Sequence, residues 1–167
     1  NALPTIAGTL NACVGSTTQL TGSAPVGGST WSSATLGVAT VDASGEVTGV
    51  SAGTSVITYT DGNGCEVDET VTINALPTIA GTLNACVGST TQLTGSAPVG
   101  GSTWSSATLG VATVDASGEV TGVSAGTSVI TYTDGNGCEV DETVTINALP
   151  TIAGTLNACI GSTTQLT

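Results

Sequence analysis

Gly45-Glu46-Val47-Thr48-Gly49-Val50-Ser51-Ala52-Gly53-Thr54-Ser55-Val56-Ile57-Thr58-Tyr59-Thr60 is the stretch whose reading decides the fold. Its two runs of β-branched and aromatic residues alternate with small or polar ones, and a Ser-Ala-Gly break separates them. Such side chains pack well on a pleated, half-buried surface, so strands are expected over Glu46–Val50 and Thr54–Thr60. Directly upstream, Asp42-Ala43-Ser44-Gly45 places Asp first and Gly fourth, the preference of a type I turn. Directly downstream, Asp61-Gly62-Asn63-Gly64 supplies the positive-φ residues that a tight hairpin needs.

Working outward, the same reading predicts strands over Val38–Asp42, Thr30–Ser33 around Trp31, Ser16–Thr21 and Glu66–Ile73. A first strand is expected over Pro4–Thr9, resuming through Leu10–Val14, and Ala24–Gly28 reads as a Pro/Gly loop. Lys, Arg and Met, which favour helices, are absent. The prediction is all-β: tandem β-sandwich domains of about seven strands each.

The tandem part follows from repetition, which bears on the whole fold. Asn1–Ile73 recurs unchanged as Asn74–Ile146, a period of 73 residues, and a third copy runs from Asn147 to Thr167. One substitution separates the copies, Ile160 where Val14 and Val87 stand, the kind of apolar swap a core-facing position tolerates. The expected organisation is repeat 1 over 1–73, repeat 2 over 74–146 and the start of repeat 3 over 147–167, a window on a longer array. A domain of this size is marginal alone and invites reinforcement.

The formal charge is -12, with no Lys, Arg or His. Each full repeat carries the same carboxylates: Asp42, Glu46, Asp61, Glu66, Asp68 and Glu69 in the first. No ion pair between side chains is available, so packing, backbone hydrogen bonds and covalent links must hold the fold. Nucleic acid is excluded as a partner because phosphate binding needs cationic side chains. Anionic membrane surfaces are disfavoured for the same reason. No run approaches the roughly 18 apolar residues of a membrane helix, so no membrane insertion is expected in this segment.

Trp31-Ser32-Ser33, Val38-Ala39-Thr40-Val41-Asp42, Gly45 through Thr54 and Ile57-Thr58-Tyr59 together resemble the bacterial immunoglobulin-like domain of group 2. Cys13-Val14-Gly15-Ser16-Thr17-Thr18-Gln19-Leu20-Thr21 is similar to that family's second-strand entry. Cys13-Val14-Gly15 combined with Asn63-Gly64-Cys65 looks more narrowly like repeats in long surface adhesins of gliding Bacteroidota. The resemblance implies an exported protein of the bacterial cell surface whose domains act as spacers or bind receptors. It brings no catalytic apparatus, and a fold alone does not fix function.

Trp31 and Trp104, one per repeat, are expected as core anchors, against the rival reading of a carbohydrate-stacking platform. Asp61, Asn63, Glu66 and Asp68 form a weak calcium candidate, since oxygen ligands suit that ion but the Asp-x-Asp-x-Asp-Gly spacing is missing. Otherwise no cofactor and no metal are expected. Cys13, Cys65, Cys86, Cys138 and Cys159 read as disulfide cysteines, because zinc would want His or Cys-x-x-Cys. Two connectivities stay open. Pole geometry favours Cys13 with Cys138 across a repeat junction, which leaves Cys86 to a residue further along; Cys13 with Cys65 and Cys86 with Cys138 remain if the first strand bends. The junction Ile73-Asn74-Ala75-Leu76-Pro77-Thr78 lacks a flexible Gly/Ser tract, and Pro77 keeps it extended. Domains are therefore expected to abut in line, each advancing a rod by about 35 to 45 Å.

Three function classes follow. Identical modules suit a structural repeat of an extracellular filament or adhesin stalk, whose partners are neighbouring repeats and other copies. Ser23–Gly28 and the Thr/Ser-rich faces are the candidates for multivalent glycan or receptor binding. An enzyme is not expected: without His or Lys there is no ordinary general base near neutral pH. Asp68 and Glu69, as strand neighbours pointing to opposite faces, make a poor glycosidase pair.

Overall fold

The alternation around Glu46–Thr60 becomes a pair of strands in the computed structural model, which describes residues 2–24, 27–96, 100–154 and 157–165. In the first repeat they belong to a set of eight: β1 Ile6–Gly8, β2 Asn11–Cys13, β3 Thr17–Gly22, β4 Thr30–Ser33, β5 Ala39–Val41, β6 Glu46–Gly49, β7 Gly53–Thr60 and β8 Glu66–Asn74. They form two four-stranded sheets, β1-β3-β6-β5 and β2-β8-β7-β4. The eighth strand arises because the expected first strand is divided between the sheets. Ile6–Gly8 runs antiparallel to β3, whereas Asn11–Cys13 runs parallel to β8, pairing Asn11 with Thr72 and Cys13 with Asn74. Gly8 makes the crossing possible. Its φ of 131° lies where a side chain is strained, and a Cβ there would collide with the Gln19 carbonyl.

Both turns read from the sequence are built on an aspartate. Asp42 Oδ1 accepts from Ser44 N (2.8 Å), Ser44 Oγ (2.7 Å) and Glu46 N (2.9 Å). Gly45 takes φ 84° and its N–H donates to the Asp42 carbonyl. This side-chain mimicry of a backbone turn is the reason Asp is favoured at such positions. The hydrogen bonds, led by that from Ser44 Oγ, hold the Asp42 carboxyl below its ordinary value of 3.8, as the matching set does for Asp115.

Ala12, Leu20, Ala39, Val47, Ile57, Val71 and Ile73 form the buried core between the sheets. Trp31 is half-buried and packs against that cluster from its side, as Trp104 is half-buried in the second repeat. The fully buried aromatic is Tyr59, 1% exposed, with its ring centroid 4.7 Å from that of Trp31. Tyr59 can sit there because its hydroxyl donates to the Ser23 carbonyl at 2.9 Å and because Gly22 has no side chain where the ring lies. Ser55 is buried with its hydroxyl beside that of Ser33 (2.9 Å) and accepting from Thr35 N (3.0 Å). Among the described residues no buried side-chain nitrogen or oxygen lacks a partner.

The second repeat forms β9 Ile79–Gly81, β10 Asn84–Cys86, β11 Thr90–Gly95, β12 Thr103–Ser106, β13 Ala112–Val114, β14 Glu119–Gly122, β15 Gly126–Thr133 and β16 Glu139–Asn147. Its sheets are β10-β16-β15-β12 and β13-β14-β11-β9. The four sheets follow the sequence repeats. Compactness divides the chain differently: Asn1–Ile79, Gly95–Thr103 and Tyr132–Val140 make one unit, and Ala80–Thr94, Trp104–Thr131 and Asp141–Thr167 the other. The described residues after Asn147 contain a single bridge residue, Gly154, and no strand.

Candidate functional site

Chemistry in this chain concentrates at its cysteines. Cys13 ends β2, where parallel pairing with β8 holds its backbone against Asn74. Its carbonyl accepts from Ser16 N at 3.0 Å, and Gly49 closes over it so tightly that a Cβ at Gly49 would lie 2.6 Å from that oxygen. Cys138 sits at the base of the hairpin before β16. There Asp134 is the organising residue: 3% exposed, it accepts from Asn136 N and Cys138 N, both at 2.9 Å. Asp134 N in turn donates to the Cys138 carbonyl at 2.8 Å, and Gly137 N to the Asp134 carbonyl at 3.0 Å.

Within the first compact unit the two sulfurs are bonded, Cys13 to Cys138, with an S–S distance of 1.98 Å and Cα atoms 5.6 Å apart. The link spans a sequence separation of 125 and so joins a residue of the first repeat to one of the second. Cys138 is 1% exposed. Cys65, Cys86 and Cys159 carry free thiols, the first half-buried and the other two exposed, so the within-repeat pairs Cys13–Cys65 and Cys86–Cys138 are not formed.

The calcium candidates are not brought together. Asp61 is buried and spends Oδ1 on Asn63 N (2.8 Å) and Cys65 N (2.9 Å), the same device as Asp134. Asp68 Oδ1 accepts from Thr58 Oγ1 at 2.6 Å and Glu66 Oε1 from Thr60 Oγ1 at 3.4 Å, each across the β7–β8 pair. Among the described residues no three acidic or cysteine side chains gather as a metal would require. Asp61 and Asp134 thus act by positioning cysteines. Sequence reasoning missed this role, although the Asp-x-x-Gly-x pattern shared with Asp42 was visible.

A second feature is a cavity of about 250 Å³ where Trp31 and Tyr59 meet the hydroxyl-bearing residues Thr21, Ser29 and Ser44. Of the loop Ser23–Gly28 beside it, residues 25 and 26 lie outside the described residues, as do residues 97–99 of the corresponding loop in the second repeat. No helix long and apolar enough to cross a membrane occurs among the described residues.

With eight strands in two facing sheets and this hairpin chemistry in view, the comparison with known families is decisive. Residues 10–76 match the bacterial Ig-like domain (group 2). The repeat is a group 2 bacterial Ig-like domain. Ice-binding protein 1 of Shewanella frigidimarina (strain NCIMB 400) is 39% identical over a region covering 61% of this chain and 13% of that protein. The chain thus spans a small fraction of the curated relative it matches. The group 2 fold also matches the C-terminal 282-residue fragment of intimin, solved in complex with the intimin-binding domain of the translocated intimin receptor. That match has a TM-score of 0.56 at 21% identity, over 93% of this chain and 67% of that one. Invasin, described as a bacterial integrin-binding protein, matches with a TM-score of 0.56 at 14% identity, over 92% of this chain and 41% of that one. At these identities the likeness is one of fold.

Proposed function

We propose that this chain is a structural segment of an extracellular bacterial surface filament or adhesin stalk, a non-catalytic spacer whose identical Ig-like domains are tied to one another covalently. The observation that carries the reading is the Cys13–Cys138 bond between successive repeats. A disulfide persists in oxidising compartments, which favours a location outside the cell. A bond between modules is of use where modules are loaded along the chain, because tension then passes through sulfur rather than through packing. The lack of His and Lys gives no general base near neutral pH.

Single-molecule pulling on the chain tests this. In the oxidised protein the 125 residues of separation between Cys13 and Cys138 are locked, which withholds roughly 410 to 450 Å of contour length at about 3.3 to 3.6 Å per residue. Reductant or Cys13→Ser should release that length in full. Equal extension with and without reductant would sink the reading.

The second reading is adhesion, and the cavity beside Trp31 favours it. A half-buried indole flanked by hydroxyls suits a sugar face, and repetition would multiply a weak contact. Glycan-array binding that disappears in a Trp31→Ala, Trp104→Ala double variant of unchanged melting temperature would support it. Absence of any glycan signal from the parent chain would count against it.

A further inference from the structure

Strand β8 is paired along nearly its whole length on one side and only in part on the other. β7 faces every residue from Glu66 to Ile73, whereas β2 covers Thr72 to Asn74 alone, because Ile6–Gly8 belongs to the other sheet. Thr72 N donates to the Leu10 carbonyl at 2.9 Å and the Asn74 carbonyl accepts from Val14 N at 3.0 Å, so these two residues turn their backbone groups toward β2. Opposed pairs in an antiparallel ladder alternate between bonding each other and facing away, so Glu66, Asp68 and Thr70 turn theirs to the same side. Among the described residues no backbone group bonds to them there. The other edge strands of the repeat are short, three residues at β1 and β5 and four at β4.

The side chains along this edge share one sign. Glu66, Asp68 and Thr70 are exposed on the outer face of the sheet. Val67 and Glu69 point to the inner face yet stay half-buried, whereas Val71 and Ile73 on that same face are 0% and 2% exposed. The sandwich is therefore open beside Val67 and Glu69. A charge directed inward at a strand edge discourages pairing with a like edge, and every other copy of this chain brings a net charge of -12 with no cation to offset it. The edge thus rejects its own kind and selects for positive charge.

We infer that Glu66–Thr70 is a docking edge for an extended cationic peptide segment of another protein, which adds as a strand beside β8 in the lane that β2 leaves empty. Main-chain bonds to Glu66, Asp68 and Thr70 supply affinity, and the alternating side chains of the incoming strand supply specificity. On the outer face its Lys or Arg side chains meet Glu66 and Asp68. Thr60 Oγ1 and Thr58 Oγ1 each hold one oxygen of these carboxylates, leaving the other for the ligand. On the inner face a Lys stem covers Val67 and carries its ammonium to Glu69. The second repeat has the same carboxylates as Glu139, Asp141 and Glu142, and Thr145 N donates to the Leu83 carbonyl as Thr72 N does to that of Leu10. This reading adds a partner to the stalk and does not depend on the disulfide.

The test uses the full chain and a labelled peptide of alternating Lys and Val, set against a twin that is N-methylated along its backbone and so keeps its charge but has no N–H to donate. When the first peptide saturates the chain, amide exchange read by NMR should slow roughly tenfold or more at Asp68 and Thr70 and at their counterparts in the second repeat. Val67 and Glu69, whose amides already face β7, should not change. The methylated twin should bind roughly tenfold more weakly or worse, and added salt should weaken the first peptide. A chain with Glu66→Gln, Asp68→Asn and Glu69→Gln, and the same changes at Glu139, Asp141 and Glu142, should lose the peptide. Equal binding of the twin would mean attraction of charges without strand pairing and would overturn the inference. So would unprotected amides at Asp68 and Thr70, or no binding of the first peptide, and each of these outcomes leaves the stalk reading standing.

Discussion

Residues 2–19 and 148–165 carry the same sequence apart from Val14 and Ile160, and their described residues reach different structures. In the first copy Ile6 and Val14 are half-buried and Ala12 is 8% exposed, with three strands formed. In the third, Ile152 is 74% exposed, Ile160 is fully exposed, Ala158 is exposed, and among the described residues only Gly154 forms a bridge. The difference lies in what each segment has to pair with. Asn11–Cys13 is a strand because Thr72–Asn74 runs beside it, and Ile6–Gly8 because Leu20–Gly22 does, flanked in turn by β6. Strand propensity is thus permissive here, and non-local pairing decides.

The sharpest way to break the comparison is to remove the partner. Ile73 is 2% exposed in the core, and Ile73→Asp puts a charge there in a chain with no cation to pair it. The expected cost exceeds about 4 kcal/mol. In NMR spectra the Ala12 amide should then move onto the position of Ala158; resonances that stay apart would mean the first copy is ordered by something other than β8. Next, Cys13→Ser should lower stability by about 2 to 4 kcal/mol in denaturant titrations while Ala12 keeps its folded shift, since the bond reinforces a strand that pairing already forms. An unfolded Ala12 signal in that variant would reverse the order of cause.

Gly49→Ala is expected to cost about 1 to 3 kcal/mol, because its Cβ would press on the Cys13 carbonyl and on Ile73 Cγ2, 2.9 Å away. Gly37→Ala, with no atom within 4 Å of the new Cβ, is the control that should melt like the parent. The smallest effect is acid. Asp42 and Asp115 are held below 3.8 by hydrogen bonds to their charged forms, so their contribution is complete above that pH and fades as pH falls through the folded values. Melting temperatures should drop between about pH 4 and pH 2, less so in an Asp42→Asn, Asp115→Asn chain. The signals of residues 157–165, which include no carboxylate, should not shift over that range.

Much of this molecule was legible from local chemistry. Alternation located β3 to β8 within a residue or two, and Asp-x-x-Gly located both hairpins, because side-chain direction and turn geometry are set by neighbours in sequence. The break of the first strand was read between Thr9 and Leu10, while the part played by Gly8 in it was not. Trp31, marked for the core by its size, packs half-buried against the core cluster, while the space beside Gly22 admits the fully buried Tyr59, and only the facing sheets reveal that division.

What tertiary structure alone decided is the partner of each cysteine and the order of each copy. Cys13 could be read as a disulfide residue, yet two connectivities fitted the spacing, and the answer depended on which hairpin the folded sheets bring within 5.6 Å of it. Likewise Asp61 carried the look of a cation ligand, and its buried hydrogen bonds turned it into the holder of a cysteine. A local pattern states what a segment is able to become. Distances between segments far apart in sequence exist only once the sheets have formed, and those distances selected the bond.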